Sequence, residues 1–114
     1  MPNLRGVGRE AEDRAAEYLI GQGYSIVTRR FKTRRGELDI VAMDGEVLVF
    51  VEVKSRNTEG YSPEEAMSRS KLDALMVAIG LYLHAMEIPS TDFRLDLIAI
   101  DRDGIRHHKN LLAP

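Results

Sequence analysis

Two short stretches hold the residues best suited to chemistry. Gly36-Glu37-Leu38-Asp39-Ile40-Val41-Ala42 is followed by Val49-Phe50-Val51-Glu52-Val53-Lys54. Each sets charged groups two apart inside an apolar, β-branched run. Side chains alternate along a strand, so Glu37 and Asp39 are expected on one face, as are Glu52 and Lys54. Three carboxylates and an ammonium on adjacent strands make a seat for a divalent cation. Hard oxygen donors in a chain without cysteine favour Mg²⁺ or Mn²⁺ over zinc. Such an ion activates water and clamps phosphate oxygens, and Lys54 could orient that water or stabilise a pentavalent phosphate. The chemistry is that of a nuclease. The bland reading is a strand end entering solvent with a Glu52–Lys54 ion pair, and an exposed hairpin face carrying Glu37 and Asp39. Against it, aspartate is depleted in strands. Asp39 beside Glu52 would also be repelled unless a cation joined them.

Glu12 is a further acid of interest. At about 100° per residue, it falls in the middle of the arc formed by Ala11, Ala15, Ala16, Tyr18, Leu19 and Ile20. A carboxylate on an apolar face needs a partner, either a metal or water, or an arginine in an internal salt bridge. Residues 29–35 hold five cations in seven positions with no acid among them. They read as phosphate contacts or as a solvated basic loop, and Arg9, Arg69 and Lys71 could extend the surface. The histidines are weak signals: His107 and His108 point to opposite faces of a strand, and His84 falls in an apolar helix end, packed or interfacial. No Ser-His-Asp set, P-loop or dinucleotide motif is present.

These groups must be positioned by one domain, residues 1–114, of which 1–7 read as a flexible start. A chain of 114 residues buries roughly two-thirds of its unfolded surface. Its composition, 44% hydrophobic and 30% charged, is that of an ordinary soluble protein. A net charge of −2 excludes a uniformly basic nucleic-acid binder, so an anionic partner must meet a local patch. The lack of cysteine excludes disulfides, thiolate zinc and cysteine nucleophiles, and suits the cytoplasm. No apolar run follows Arg5, so no signal peptide is read, and nothing approaches the ~18 apolar residues of a membrane span.

The pattern predicts a helix over 8–22 ending at Gly23, strands over 25–31, 37–43 and 47–55, and a hairpin turn at Asp44-Gly45. The third strand is apolar on both faces and should be central. A polar loop over 56–61 leads to a helix over 62–86, started by Ser62-Pro63-Glu64-Glu65. The second half of that helix is apolar nearly all round, so it is deeply packed or meets a partner chain near Leu81 and Leu83. Strands follow over 93–100 and 105–109. The order α-β-β-β-α-β-β implies an α/β fold, with a mixed central sheet of about five strands flanked by two helices.

Asp39 with Glu52-Val53-Lys54 after an apolar strand resembles the Asp…Glu-x-Lys core of the PD-(D/E)XK nuclease superfamily. More closely, the chain resembles the YraN-like family of small bacterial proteins, related to archaeal Holliday-junction resolvases. The likeness covers nearly the whole chain. It rests on Gly8-Arg9 with Glu12 and Ala15, Gly23-Tyr24, Arg35-Gly36-Glu37-Leu38-Asp39, Val49-Phe50-Val51-Glu52-Val53-Lys54 with Arg56, Lys71, and Arg94-Leu95-Asp96. Glu-x-Lys alone is cheap; the ordered set is specific. The resemblance implies a restriction-endonuclease-like core. In it Asp39 and Glu52 bind Mg²⁺ or Mn²⁺, Lys54 assists the water, and Glu12 and Glu37 add acids. Arg9, Arg30, Lys32, Arg34, Arg35, Arg56 and Lys71 are the candidate DNA contacts. The expected activity is a metal-dependent DNA endonuclease, selective for branched or junction structures, with no organic cofactor. A homodimer is compatible, since a resolvase needs two active sites. The alternative is a non-catalytic nucleic-acid-binding or scaffold module on the same fold, told apart by its indifference to metal.

Overall fold

The computed structural model describes residues 4–89 and 92–113. Helix α1 (Leu4–Gly21) leads into β1 (Ser25–Thr33), β2 (Gly36–Asp44) and β3 (Val47–Ser55). A short 3-10 helix (Pro63–Ala66) and α2 (Arg69–Ala85) then cross over to β4 (Phe93–Asp101) and β5 (Gly104–His108). The five strands lie in chain order across one sheet. β3 and β4 are parallel, and the other neighbours are antiparallel. This is the mixed α/β sheet with two helices that the order of elements implied. The parallel pair needs a long connection, and the 3-10 helix with α2 supplies it.

The helices cover opposite faces. Ala11, Ala15, Ala16 and Leu19 of α1 pack on Ile40, Ala42, Val49, Val51, Ile98 and Ile100. Leu75, Ala78, Ile79, Tyr82 and Leu83 of α2 pack on Leu38, Val41, Phe50 and Leu95. β3 therefore sends Val49 and Val51 one way and Phe50 the other, which is why its sequence is apolar throughout. Phe50 meets Tyr82 and Phe93 edge-on, with ring centres 5.5 and 5.6 Å apart, a favoured aromatic geometry.

Three expectations need correction. α1 begins at Leu4, so residues 4–7 are helical rather than loose, while residues 1–3 lie outside the described residues. The helix expected over 62–86 is two elements. Ser62 makes no side-chain cap, the 3-10 helix ends at Met67, and Ser68 starts α2 with its Oγ accepting from Lys71 N at 3.2 Å. Two cap signals six residues apart compete, and the break lets Met67 pack on the core under α2. His84 is exposed rather than packed, while Leu83 lies in that core, the deeply packed alternative for this helix end.

Candidate metal centre

The site is built by a fork in the sheet. Pairing of β2 with β3 runs from Asp44↔Val47 to Ile40↔Val51 and stops there. β2 stays with β1 down to Thr33↔Gly36, and β3 stays with β4 down to Ser55↔Ile100. The strands thus part at Asp39 and Glu52. Asp39 Oδ2 accepts a hydrogen bond from Val53 N at 2.9 Å, replacing a ladder bond lost where the strands separate.

Alternation does not carry Asp39 to its place. Ile40 packs under α1 and Leu38 under α2, although residues two apart in a regular strand share a face. Opposite them, Arg29 pairs in register with Ile40 and Phe31 with Leu38. Arg29 reaches Glu12 of α1, while Phe31 lies against Tyr82 of α2. Both strands change face across one level, and at that level Arg30 has φ 56°. A left-handed backbone at a non-glycine residue costs about 1–3 kcal/mol and needs its surroundings to hold it. Glu37 and Asp39 nevertheless converge, by this irregular route. With Glu12 they offer three carboxylate oxygens, all within 4.8 Å of one another.

Glu52 and Lys54 follow the alternation of Leu48 and Phe50. Lys54 Nζ lies 2.9 Å from Glu52 Oε1. Glu52 Oε2 is buried with no hydrogen-bond partner. Burial, and then the neighbouring charge of Glu52, push the Asp39 carboxyl up to about 7 against the pull of Val53 N–H. This is the signature of two carboxylates sharing one site. The expected ligand pair was Asp39 with Glu52, and the close trio is Glu12, Glu37 and Asp39. Asp39 belongs to both: it shares one ligand cluster with Glu12 and Glu37, and the charge of Glu52 acts on it.

Glu12 is buried as expected, with an arginine salt bridge. Its Oε1 accepts from Arg29 Nε at 3.0 Å and Arg30 Nε at 3.2 Å, and its Oε2 from Arg30 Nε at 3.1 Å. Arg29 also pairs with Asp13. The basic run is therefore compensated at its start by acids from α1, and Arg30, expected on phosphate, is tied to Glu12. Lys32, Arg34 and Arg35 are exposed and have no carboxylate partner among the described residues. Arg35 and Lys71 line a pocket of about 180 Å³ with Glu37, Glu52 and Lys54, floored by Met67, Leu75 and Ala78. Arg9 is exposed on α1 and Arg56 begins the loop after β3; neither lines this pocket.

Sequence reasoning missed two networks. Asp96, fully buried on β4, receives Arg94 Nε and Nη2 at 2.9 and 3.0 Å and Asn110 N at 3.0 Å, with His107 Nε2 at 2.7 Å. Burial alone would raise its pKa, but the bonds from His107 and Arg94 outweigh it and hold the carboxyl below its usual range. Arg94 also donates to Tyr24 Oη at 2.6 Å and Asp44 at 3.1 Å. Separately, Arg106 on β5 forks to Glu64 at 2.7 and 2.9 Å and also pairs with Asp101, anchoring the 3-10 helix to the sheet. The signal for the first network was Arg94-x-Asp96, spaced like Glu52-x-Lys54.

Among the described residues, no helix is long and apolar enough to cross a membrane. A family model described as "Uncharacterised protein family UPF0102" matches residues 11–100. Relatives named UPF0102 protein include one from Persephonella marina, 40% identical with 90% of each chain covered. Another, from Carboxydothermus hydrogenoformans, is 37% identical over 96% of this chain and 98% of its own. A third, from Chlorobium limicola, is 42% identical over 88% of this chain and 82% of its own. The chain belongs to the uncharacterised UPF0102 family, the YraN-like family.

Proposed function

We propose that this protein is a metal-dependent endonuclease that hydrolyses phosphodiester bonds in DNA. One observation carries the reading. Glu52 Oε2 is buried without a partner, beside an Asp39 carboxyl pushed up to about 7 by burial and by Glu52. A divalent cation is the group that would satisfy both, and carboxylate oxygens are the donors that Mg²⁺ and Mn²⁺ prefer. Asp39 and Glu52 would hold it, with Glu12 and Glu37 within reach. When bound, the ion supplies an activated water and a clamp on phosphate oxygens.

The chain's own residues do the rest. Lys54, held by Glu52, presents an ammonium beside the site to orient the water or meet charge developing on phosphorus. Lys71 and Arg35 stand on the same pocket, and Arg34 and Lys32 continue the cationic surface for a polyanion. The apolar floor excludes water from one side. This arrangement agrees with the resemblance to the PD-(D/E)XK superfamily, from which the preference for branched or four-way DNA follows as part of the proposal. One observation favours a second reading, a non-catalytic nucleic-acid-binding module: Arg29 and Arg30 already neutralise Glu12 without any metal.

The test is cleavage of labelled single-stranded, duplex, flapped and four-way DNA with Mg²⁺, Mn²⁺ or EDTA. Cutting only with metal is expected, weakened at least about 100-fold in Asp39→Asn, Glu52→Ala and Lys54→Ala, the scale of losing one preorganised charged group. DNA binding unaffected by EDTA, with no cutting by wild type, would decide for the module.

A further inference from the structure

Arg30 is unusual in both backbone and side chain. Its φ of 56° distorts the extended backbone of β1 between the pairs Arg29↔Ile40 and Phe31↔Leu38, while the register with β2 is kept on either side. Neighbouring residues in a strand point to opposite faces, yet Arg29 and Arg30 both bring Nε to Glu12 Oε1, at 3.0 and 3.2 Å. The left-handed residue is what lets two successive arginines converge on one carboxylate. Arg30 reaches the second oxygen as well, at 3.1 Å. Glu12 is 5% exposed and lies with Glu37 and Asp39 inside the 4.8 Å cluster, but both its oxygens are taken by cationic donors.

The two arginines differ in their freedom. Arg29 is held by a second carboxylate, Asp13. Arg30 has no other acidic partner among the described residues; the two side chains are equally exposed, at 34% and 33%, so the difference lies in their partners alone. It also lies at the start of the run that continues through Lys32, Arg34 and Arg35, so a polyanion seated on those cations arrives at Arg30.

Resting on the metal-site reading above, we propose that Arg30 is a positioning residue that acts as a latch: it holds Glu12 until a nucleic-acid phosphate takes its guanidinium, and Glu12 then turns to the cation at Asp39. Each charge exchanges one partner for another of the same sign, so no buried ion is left unpaired at either end of the exchange. Phosphate binding and metal binding are thereby coupled, and the coupling is reciprocal.

The test is calorimetric titration of Mn²⁺ into the protein, alone and with a phosphorothioate-linked thymidine octamer, corrected for Mn²⁺ taken up by the octamer itself. Wild type should bind Mn²⁺ about ten-fold tighter with the octamer present. Arg30→Gly keeps the left-handed backbone at no steric cost. It should bind Mn²⁺ about ten-fold tighter than wild type without the octamer and gain nothing further from it. Arg30→Asn, whose side chain also tolerates this conformation, should behave alike, which guards against a folding defect in either variant. Adding Glu12→Gln to Arg30→Gly should remove the gain. Mn²⁺ binding that Asp39→Asn abolishes but Arg30→Gly leaves unchanged would overturn the latch while the nuclease reading stands. A gain that survives Glu12→Gln would also overturn it. No Mn²⁺ binding by any of these proteins would overturn both.

Discussion

Asp96 and Asp39 are carboxylates on β4 and β2, the two neighbours of β3 in the same sheet, and their surroundings treat them oppositely. Asp96 is fully buried and surrounded by Arg94, His107 and the Asn110 N–H, which hold its carboxyl below the usual range. Asp39 has one backbone donor and an unsatisfied acid beside it, and its carboxyl rises to about 7. The first is closed: every acceptor has a partner, and adding a cation would displace one. The second is open. Both are withdrawn from solvent, Asp96 fully and Asp39 in part, so burial alone does not mark a site. An acid with too few donors and another acid for a neighbour does.

The contrast can be broken most forcefully at Asp96. Asp96→Ala leaves Arg94 and His107 facing a buried gap, and should cost about 3–5 kcal/mol, read from the urea midpoint, with the fold failing at moderate temperature. Asp39→Asn should do the reverse. Removing a charge that its site disfavours is expected to stabilise the metal-free protein by about 1–3 kcal/mol at pH 8, while the cleavage proposed for it falls at least about 100-fold. A destabilised Asp39→Asn protein would erase the contrast between the two aspartates. The smallest effect is on pH dependence. A carboxyl raised from 3.8 to about 7 favours its protonated form in the folded chain. Through Asp39, stability is therefore fully present below about pH 4 and lost as pH rises through 7. Asp96, and Glu64, which Arg106 lowers to about 2, act in the opposite sense and withdraw their support only in acid, below the ordinary carboxylate range. Melting temperatures of the metal-free protein should therefore fall between pH 5 and 8. The slope should be flat in Asp39→Asn, and flattened in wild type by Mn²⁺, which favours the carboxylate.

The fold was legible because its signals are local: the two-sided apolar run of β3, the Asp44-Gly45 turn, and the three-to-four spacing of α1 that set Glu12 inside. So was the pairing of Glu52 with Lys54, which follows from alternation alone. Alternation also puts Glu37 beside Asp39, but it fails at Asp39, and the fork is what brings these acids together. The left-handed Arg30 carries no local mark, because arginine has no preference for that backbone and only the packed surroundings impose it. Arg94, Asp96 and His107 lay in view, but their partnership joins β4 to β5 and both to Tyr24, and no spacing rule reports contacts across a sheet. The break between the 3-10 helix and α2 was hidden by a strong start signal at Ser62 that masked the one used at Ser68.

Arg30 has one more consequence. β1 is an outer strand, and a smooth outer strand offers its free N–H and C=O groups to any passing chain. This one is interrupted twice, by a register shift between Ile26 and Thr28 and by the left-handed turn at Arg30. No straight run of more than a few residues remains for a foreign strand to zip onto. The distortion that gathers two arginines on one acid also guards the sheet against aggregation along its border.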